Sequence, residues 1–216
     1  MNEQLLGAFF LVSLALVFTP GADWAYIFSH SRSRRDALLA VAGLLLGHLG
    51  HTLLAAAGLS LALSLIPGAL SVLTLIGAGY LLWLGIATLR NLPSGLPGPA
   101  VTDPDAEALA RPSMRSVLTR GFGTSGLNPK VILVYVSLIP QFISAAAPWP
   151  VGVQAATLGV IMLVNTALVY SALALFSVRV LAARPRVFRR VSLASGTLMI
   201  LIATVLAGEQ VIVALA

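Results

Sequence analysis

The chain has 216 residues, 58% of them hydrophobic and only 9% charged, with a mean hydropathy of +0.98; soluble domains carry about 25% charged residues, so a soluble globular protein is excluded. The net charge of +6 resides in arginines grouped in short loops between apolar runs, where basic residues act as topology signals facing anionic lipid rather than as a nucleic-acid surface. Cysteine is absent, which removes disulfides, thiolate metal ligation and membrane thiol redox chemistry.

A helix needs about 20 residues to cross the hydrocarbon core, so six spans use nearly the whole chain and leave no room for a separate soluble domain. Apolar runs bounded by charge, Pro or Gly predict these spans at about residues 5–28, 37–64, 69–89, 119–142, 152–178 and 190–214. The first run follows Met1-Asn2-Glu3-Gln4, which lacks the basic region of a secretory signal, and is read as a retained helix. Inside it, Thr19-Pro20-Gly21-Ala22-Asp23 interrupts the helix. Arg32, Arg34 and Arg35 follow, then the second run with Gly43 to Gly50, His48 and His51. The uncharged turn Ile66-Pro67-Gly68 leads to the third run, which holds Gly77-Ala78-Gly79, Tyr80 and Trp83 and ends at Arg90. The small residues allow close helix packing, and Tyr80, Trp83 and Trp149 read as interfacial aromatics.

The segment from Asn91 to Arg115 is rich in Pro and Gly and reads as a flexible cytoplasmic linker. It divides the chain into residues 1–90, a first three-helix repeat, and residues 116–216, a second; with an odd number of spans in each, the second repeat is inverted relative to the first. The fourth run mirrors the first: Gly126-Leu127-Asn128-Pro129-Lys130 places a proline break beside a charge. After Ala147-Pro148-Trp149-Pro150 comes the fifth run, with Asn165 midway, and then Arg179, Arg184, Arg186, Arg189 and Arg190 before the sixth. All twelve arginines thus fall in alternate loops, and the positive-inside rule puts both termini outside the cytoplasm. The fold expected is an all-α membrane protein of six transmembrane helices in two inverted repeats.

A proline within a helix removes its own N–H and displaces the carbonyl four residues earlier, here those of Leu16 and Ser125, which lipid does not tolerate; both breaks are therefore expected to face the bundle interior. Asp23 lies nine residues from Arg32 and Lys130 ten from Arg120, so both sit about 14 to 15 Å from the arginine collar, near mid-membrane. A lone charge there costs about 2.5–3.5 kcal/mol on insertion scales. A structural salt bridge and a functional pair both answer that cost. His48 and His51, one turn apart, either couple protons with Asp23 or hydrogen-bond a neighbouring helix. A His-x-x-His metal site has only Asp23 as an obvious further ligand, and no cofactor motif is present. Asn165, Gln141 and the hydroxyls of the last helix fit helix packing.

At these residues the sequence resembles the lysine exporter (LysE/RhtB) family of small bacterial amino-acid exporters, over essentially its whole length. Four stretches carry the resemblance: Thr19 to Asp23, Gly43 to His51, Gly77 to Gly85, and Arg120-Gly121-Phe122 leading to Asn128-Pro129-Lys130. The family's usual first motif reads Pro-Gly-Pro-Asn, whereas this chain has Pro20-Gly21-Ala22-Asp23, an ionisable group in place of an amide. The resemblance implies a secondary transporter, not an enzyme, that exports amino acids or related metabolites across the bacterial inner membrane against protons. On that reading Asp23 takes a substrate ammonium, while Lys130, Asn128, Gly21 and Asn165 complete the substrate site. Asp23, His48 and His51 carry proton coupling, and Pro20, Gly21 and Pro129 are hinges. A divalent-cation exporter and a membrane-embedded enzyme using Asp23 with a histidine are the alternatives. A bundle this small is also a candidate for homodimerisation.

Overall fold

The computed structural model describes residues 3–31, 33–65, 68–90, 92, 113–144, 146–181 and 185–215. Among these the elements are all helices: α1 (Glu3–Val17), α2 (Ala22–Ser29), α3 (Arg34–Leu65), α4 (Ala69–Arg90), α5 (Met114–Gly126), α6 (Pro129–Gln141), α7 (Val151–Leu181) and α8 (Pro185–Leu215). Three stretches, Arg34–Leu59, Ser71–Arg90 and Val151–Leu175, are long and apolar enough to cross a membrane unbroken. The pairs α1/α2 and α5/α6 qualify only when each is taken as one span, bent by 59° and 52°. The described residues therefore hold three to five candidate spans, and α8 adds a shorter apolar stretch, Ser192–Val205.

Both bends fall at the motifs that interrupt the apolar runs. Thr19 precedes a proline and is steered away from helical backbone, and Gly21 is fully extended at φ −173°, ψ −161°, so α1 stops at Val17 and α2 restarts at Ala22. In the second bend Asn128 precedes Pro129 and takes extended backbone at φ −73°, ψ 112°. Its side chain accepts the Lys130 N–H at 3.0 Å, and Pro129 fills the first helical position, where a missing N–H costs nothing. The sequence Asn-Pro-Lys is thus a helix start as much as a helix break.

The spacing places the fourth helix start near residue 119, but α5 begins at Met114, inside the expected linker, because Ser113 caps it by accepting the Ser116 N–H at 3.2 Å. Apart from Leu92 and residues 113–115, the linker 91–115 lies outside the described residues, as do Arg32, Arg111 and Arg184. The described arginine side chains, Arg34, Arg35, Arg90, Arg115, Arg120, Arg189 and Arg190, are all exposed.

Packing crosses the midpoint of the chain. Helix α3 runs along α7 and α5, and α4 along α8 and α6, so residues 1–90 and 116–216 share one core reaching from Phe9 to Ala203. Glycines set the closest approaches. A Cβ on Gly47 would lie 2.7 Å from the Gly126 backbone nitrogen, one on Gly43 2.8 Å from the Leu118 carbonyl, and one on Gly85 2.8 Å from that of Gly196. Small residues at such crossings let helix backbones approach where no hydrophobic force drives them together. The outer surface is apolar, with Leu54 69%, Leu53 62% and Val205 60% exposed, as lipid contact requires.

Candidate functional site at the two helix breaks

The bends meet inside the bundle. Asp23 sits in the first turn of α2, where the helix dipole favours a negative charge, and it is 3% exposed. Four donors, three on other helices and one in the link before α6, surround its carboxylate. Asn128 Nδ2 donates to Oδ1 at 3.0 Å. On Oδ2, Tyr170 OH of α7 donates at 3.0 Å, Ser125 Oγ of α5 at 3.1 Å, and His48 Nε2 of α3 lies at 3.3 Å. An ionised carboxylate has about four acceptor positions, and this one has four donors. Asn128 serves twice, with its oxygen capping α6 and its amide nitrogen holding Asp23.

Lys130 does not pair with Asp23 directly: among the described residues the ion pair of Asp23 is with His48. The lysine instead donates Nζ to the Thr19 carbonyl at 2.6 Å, placing a cation at the carbonyl end of α1, where the dipole attracts it. The carbonyls freed at the first bend are taken up in turn. The Thr19 N–H reaches Leu16 O at 3.1 Å and Trp24 Nε1 reaches Val17 O at 3.2 Å. At the second bend Ser125 O accepts the Asn128 N–H at 3.2 Å and faces His51 Nε2 at 3.4 Å. Neither carbonyl predicted to be freed by proline is left open; each bend is closed by protein groups, as an irregular backbone at membrane depth demands.

Between the bends lies a cavity of about 30 Å³ bordered by Thr19, Gly21, Asp23, Trp24, His48, Asn128, Lys130, Tyr135 and Tyr170, with Leu16, Val17, Val131, Val134 and Met162 supplying apolar walls. That space suits one or two waters, so an organic molecule the size of an amino acid enters only if the walls move. Thr19 Oγ1 and His48 Nδ1, on lining residues, are buried without a hydrogen-bond partner among the described residues. Gly21 lies directly beneath the lysine, since a Cβ there would contact Lys130 Cδ and Nζ at 3.6 Å.

Of the residues singled out from sequence, Asp23, Lys130, Asn128, Gly21 and His48 border this cavity. Asn165 does not: it is fully buried, and its Nδ2 ties α7 to α1 through Phe10 O at 3.0 Å and Ser13 Oγ at 2.8 Å. His51 stands behind the cavity, against Ser125 O and the Tyr135 ring. Pro129 is the first residue of α6, and Pro20 lies in the non-helical link between α1 and α2. Sequence reading missed Tyr170, Tyr135 and the hydroxyls of Ser125 and Thr19, because a tyrosine or serine inside an apolar run carries no mark of which face it occupies. Among the described residues no group of three or more His, Asp or Glu side chains is placed to hold a metal ion.

The sequence profile of the LysE type translocator family matches residues 14–210. The chain is 31% identical over 148 residues to a leucine efflux protein of Klebsiella pneumoniae, covering 68% of this chain and 64% of that protein. It is 29% identical over 160 residues to a cysteine/O-acetylserine efflux protein of Salmonella choleraesuis, covering 71% of this chain and 75% of the relative. The chain therefore spans just under two thirds of the length of the first of these relatives. No solved structure matches it.

Proposed function

The chain belongs to the LysE type translocators, multi-pass membrane transporters rather than enzymes, and from that premise we propose that it exports small neutral amino acids from the cytoplasm. Its matched relatives bear the names of leucine and cysteine/O-acetylserine efflux proteins. The observation that carries the reading is the cavity between the bends, where one buried acid and one cation from opposite halves of the chain meet apolar walls. A zwitterion presents the complementary charges. Among the described residues Asp23 is the one acid that borders the cavity, so a second positive charge on a substrate side chain would find no counter-ion there beside Lys130.

In the proposed mechanism the substrate carboxylate binds Lys130 and the N–H groups opening α6, displacing the Thr19 carbonyl from the ammonium. Gly21 leaves room for that exchange, and Asn128 holds the helix start in place. Asn165 acts one layer away by fixing α7 against α1. Asp23 and His48 form the proton-exchanging unit, with His51 supporting the second bend. Release of the Lys130–Thr19 contact frees the two bends to pivot at Pro20, Gly21 and Pro129, so that residues 1–90 and 116–216, as inverted repeats, rock between inward-open and outward-open forms while incoming protons reset the carrier. Both termini lie outside the cytoplasm, in the bacterial inner membrane, with the arginines inside.

Substrate-dependent thermal stabilisation in detergent tests the reading, scanned over amino acids and then over divalent metal ions. A ligand at 100 times its Kd stabilises by about 2.7 kcal/mol. The expected result is an upward shift with neutral amino acids such as leucine or cysteine and none with metals. A shift with metal ions alone overturns the assignment in favour of cation export.

A further inference from the structure

The geometry points to His48 Nδ1 as the single atom at which proton and substrate ammonium compete, which would make the exchange obligatory; the inference rests on the amino-acid reading above. Asp23 is a poor candidate for the ammonium ligand in the state seen, because Asn128, Tyr170, Ser125 and His48 already surround its carboxylate. His48 is differently placed. Its Nε2 faces Asp23 Oδ2 at 3.3 Å, while Nδ1 is buried, with no partner among the described residues, on a residue that lines the cavity. A carboxylate only accepts, so Nε2 carries the hydrogen. In the neutral ring Nδ1 then holds a lone pair.

That lone pair has two possible occupants. A proton converts His48 to imidazolium, stabilised by Asp23 and repelling any ammonium. A substrate N–H can bind there only while the ring is neutral. A buried nitrogen in a low-dielectric interior gains from a partner, and the cavity that His48 lines is where water or, in its place, a substrate N–H supplies one. Thr19 Oγ1, likewise buried and unpartnered on the cavity wall, offers a second acceptor to the same ammonium. Asp23 is then a positioning residue, fixing the tautomer and orientation of the ring.

The groups facing His48 are few. Asp23 comes from α2, Tyr135 and Tyr170 bring their rings to 5.8 and 6.1 Å from α6 and α7, Lys130 of α6 shares the cavity, and His51 follows on α3 itself. From α5 the neighbour is Ser125, which does not titrate. Lys130 predicts the opposite sign: binding a carboxylate favours protonated lysine and so takes up protons, whereas displacement from His48 releases one.

Titration calorimetry of the detergent-solubilised full chain with L-leucine and L-cysteine, in two buffers of different ionisation enthalpy, measures that sign directly. Across a pH series the expected result is release of close to one proton per ligand at the acid end, falling to none at the alkaline end, with affinity dropping about tenfold per pH unit on the acid limb. His48→Gln, which keeps a non-titrating donor for Asp23, should release no proton and bind with pH-independent affinity, whereas Gly50→Ala, where an added Cβ meets nothing within 4 Å, should behave as wild type. Leucine or cysteine binding by wild type without proton release overturns the competition and leaves the amino-acid reading standing. An unchanged pH slope in His48→Gln also overturns it, and absence of binding by the wild-type chain across a neutral amino-acid panel overturns the underlying reading as well.

Discussion

Lys130 illustrates how a residue can be recognised from sequence while its partner is not. Its depth, counted from the arginines, matches that of Asp23, which suggests a direct ion pair; the structure instead gives the lysine to the Thr19 carbonyl at 2.6 Å and surrounds Asp23 with four uncharged or imidazole donors. The difference is physical. A broken helix exposes carbonyls that attract a cation as strongly as a carboxylate does, and no residue count registers that end-on field. Lys130→Ala should abolish efflux and leave the Thr19 carbonyl unsatisfied, lowering stability by about 1–3 kcal/mol, measured as the denaturation midpoint in detergent. Tyr170→Phe removes one donor from Asp23 and leaves the ring in place; it should cost about 1–3 kcal/mol by the same measurement and slow transport. Unchanged stability and rate in Tyr170→Phe would mean that its hydroxyl is dispensable to Asp23. Tyr170 was invisible in the sequence because its relevance depends wholly on the packing of α7 beside α2.

The helices and their two interruptions were legible because proline, glycine and asparagine act locally. Asn128-Pro129 breaks one helix and caps the next, and Pro20-Gly21 ends α1 through backbone sterics alone. The early start of α5 at Met114 was harder to read, since the Ser113 cap precedes a polar first turn rather than the apolar run. Asn128→Ala should cost about 0.5–2 kcal/mol through loss of the cap and loosen Asp23 as well. The glycines divide sharply although the sequence presents them alike. Gly47 touches the α5 backbone, while a Cβ at Gly50 meets nothing within 4 Å. Gly47→Ala should push α3 from α5 at a cost of about 1–3 kcal/mol, whereas Gly50→Ala should be neutral or stabilising by up to about 1 kcal/mol. Equal midpoints for the two variants in detergent would contradict this packing scheme. The stretch Gly43 to Gly50 announces close helix contact, but not which of its glycines makes it.

For the whole molecule, composition settled the membrane class, and the match over residues 14–210 settled the family; the arrangement of arginines proposes the orientation. The absence of cysteine makes that orientation directly testable with single introduced thiols and a membrane-impermeant maleimide on intact cells. Glu3→Cys and Ala146→Cys should label from outside, and Met114→Cys only after the membrane is opened; the reverse pattern would invert the proposed topology. The cavity between the bends holds about 30 Å³, so it must widen to take an amino acid, which is what rocking of two halves about Pro20, Gly21 and Pro129 would accomplish. Counterflow of leucine and cysteine in proteoliposomes under an imposed pH gradient tests this account most directly. Wild type should accumulate substrate in proportion to the gradient, while Asp23→Asn and Lys130→Ala, inserted to the same level, should not. Gradient-driven transport at wild-type rates in both variants would show that the site at the two breaks is not where substrate and proton are exchanged.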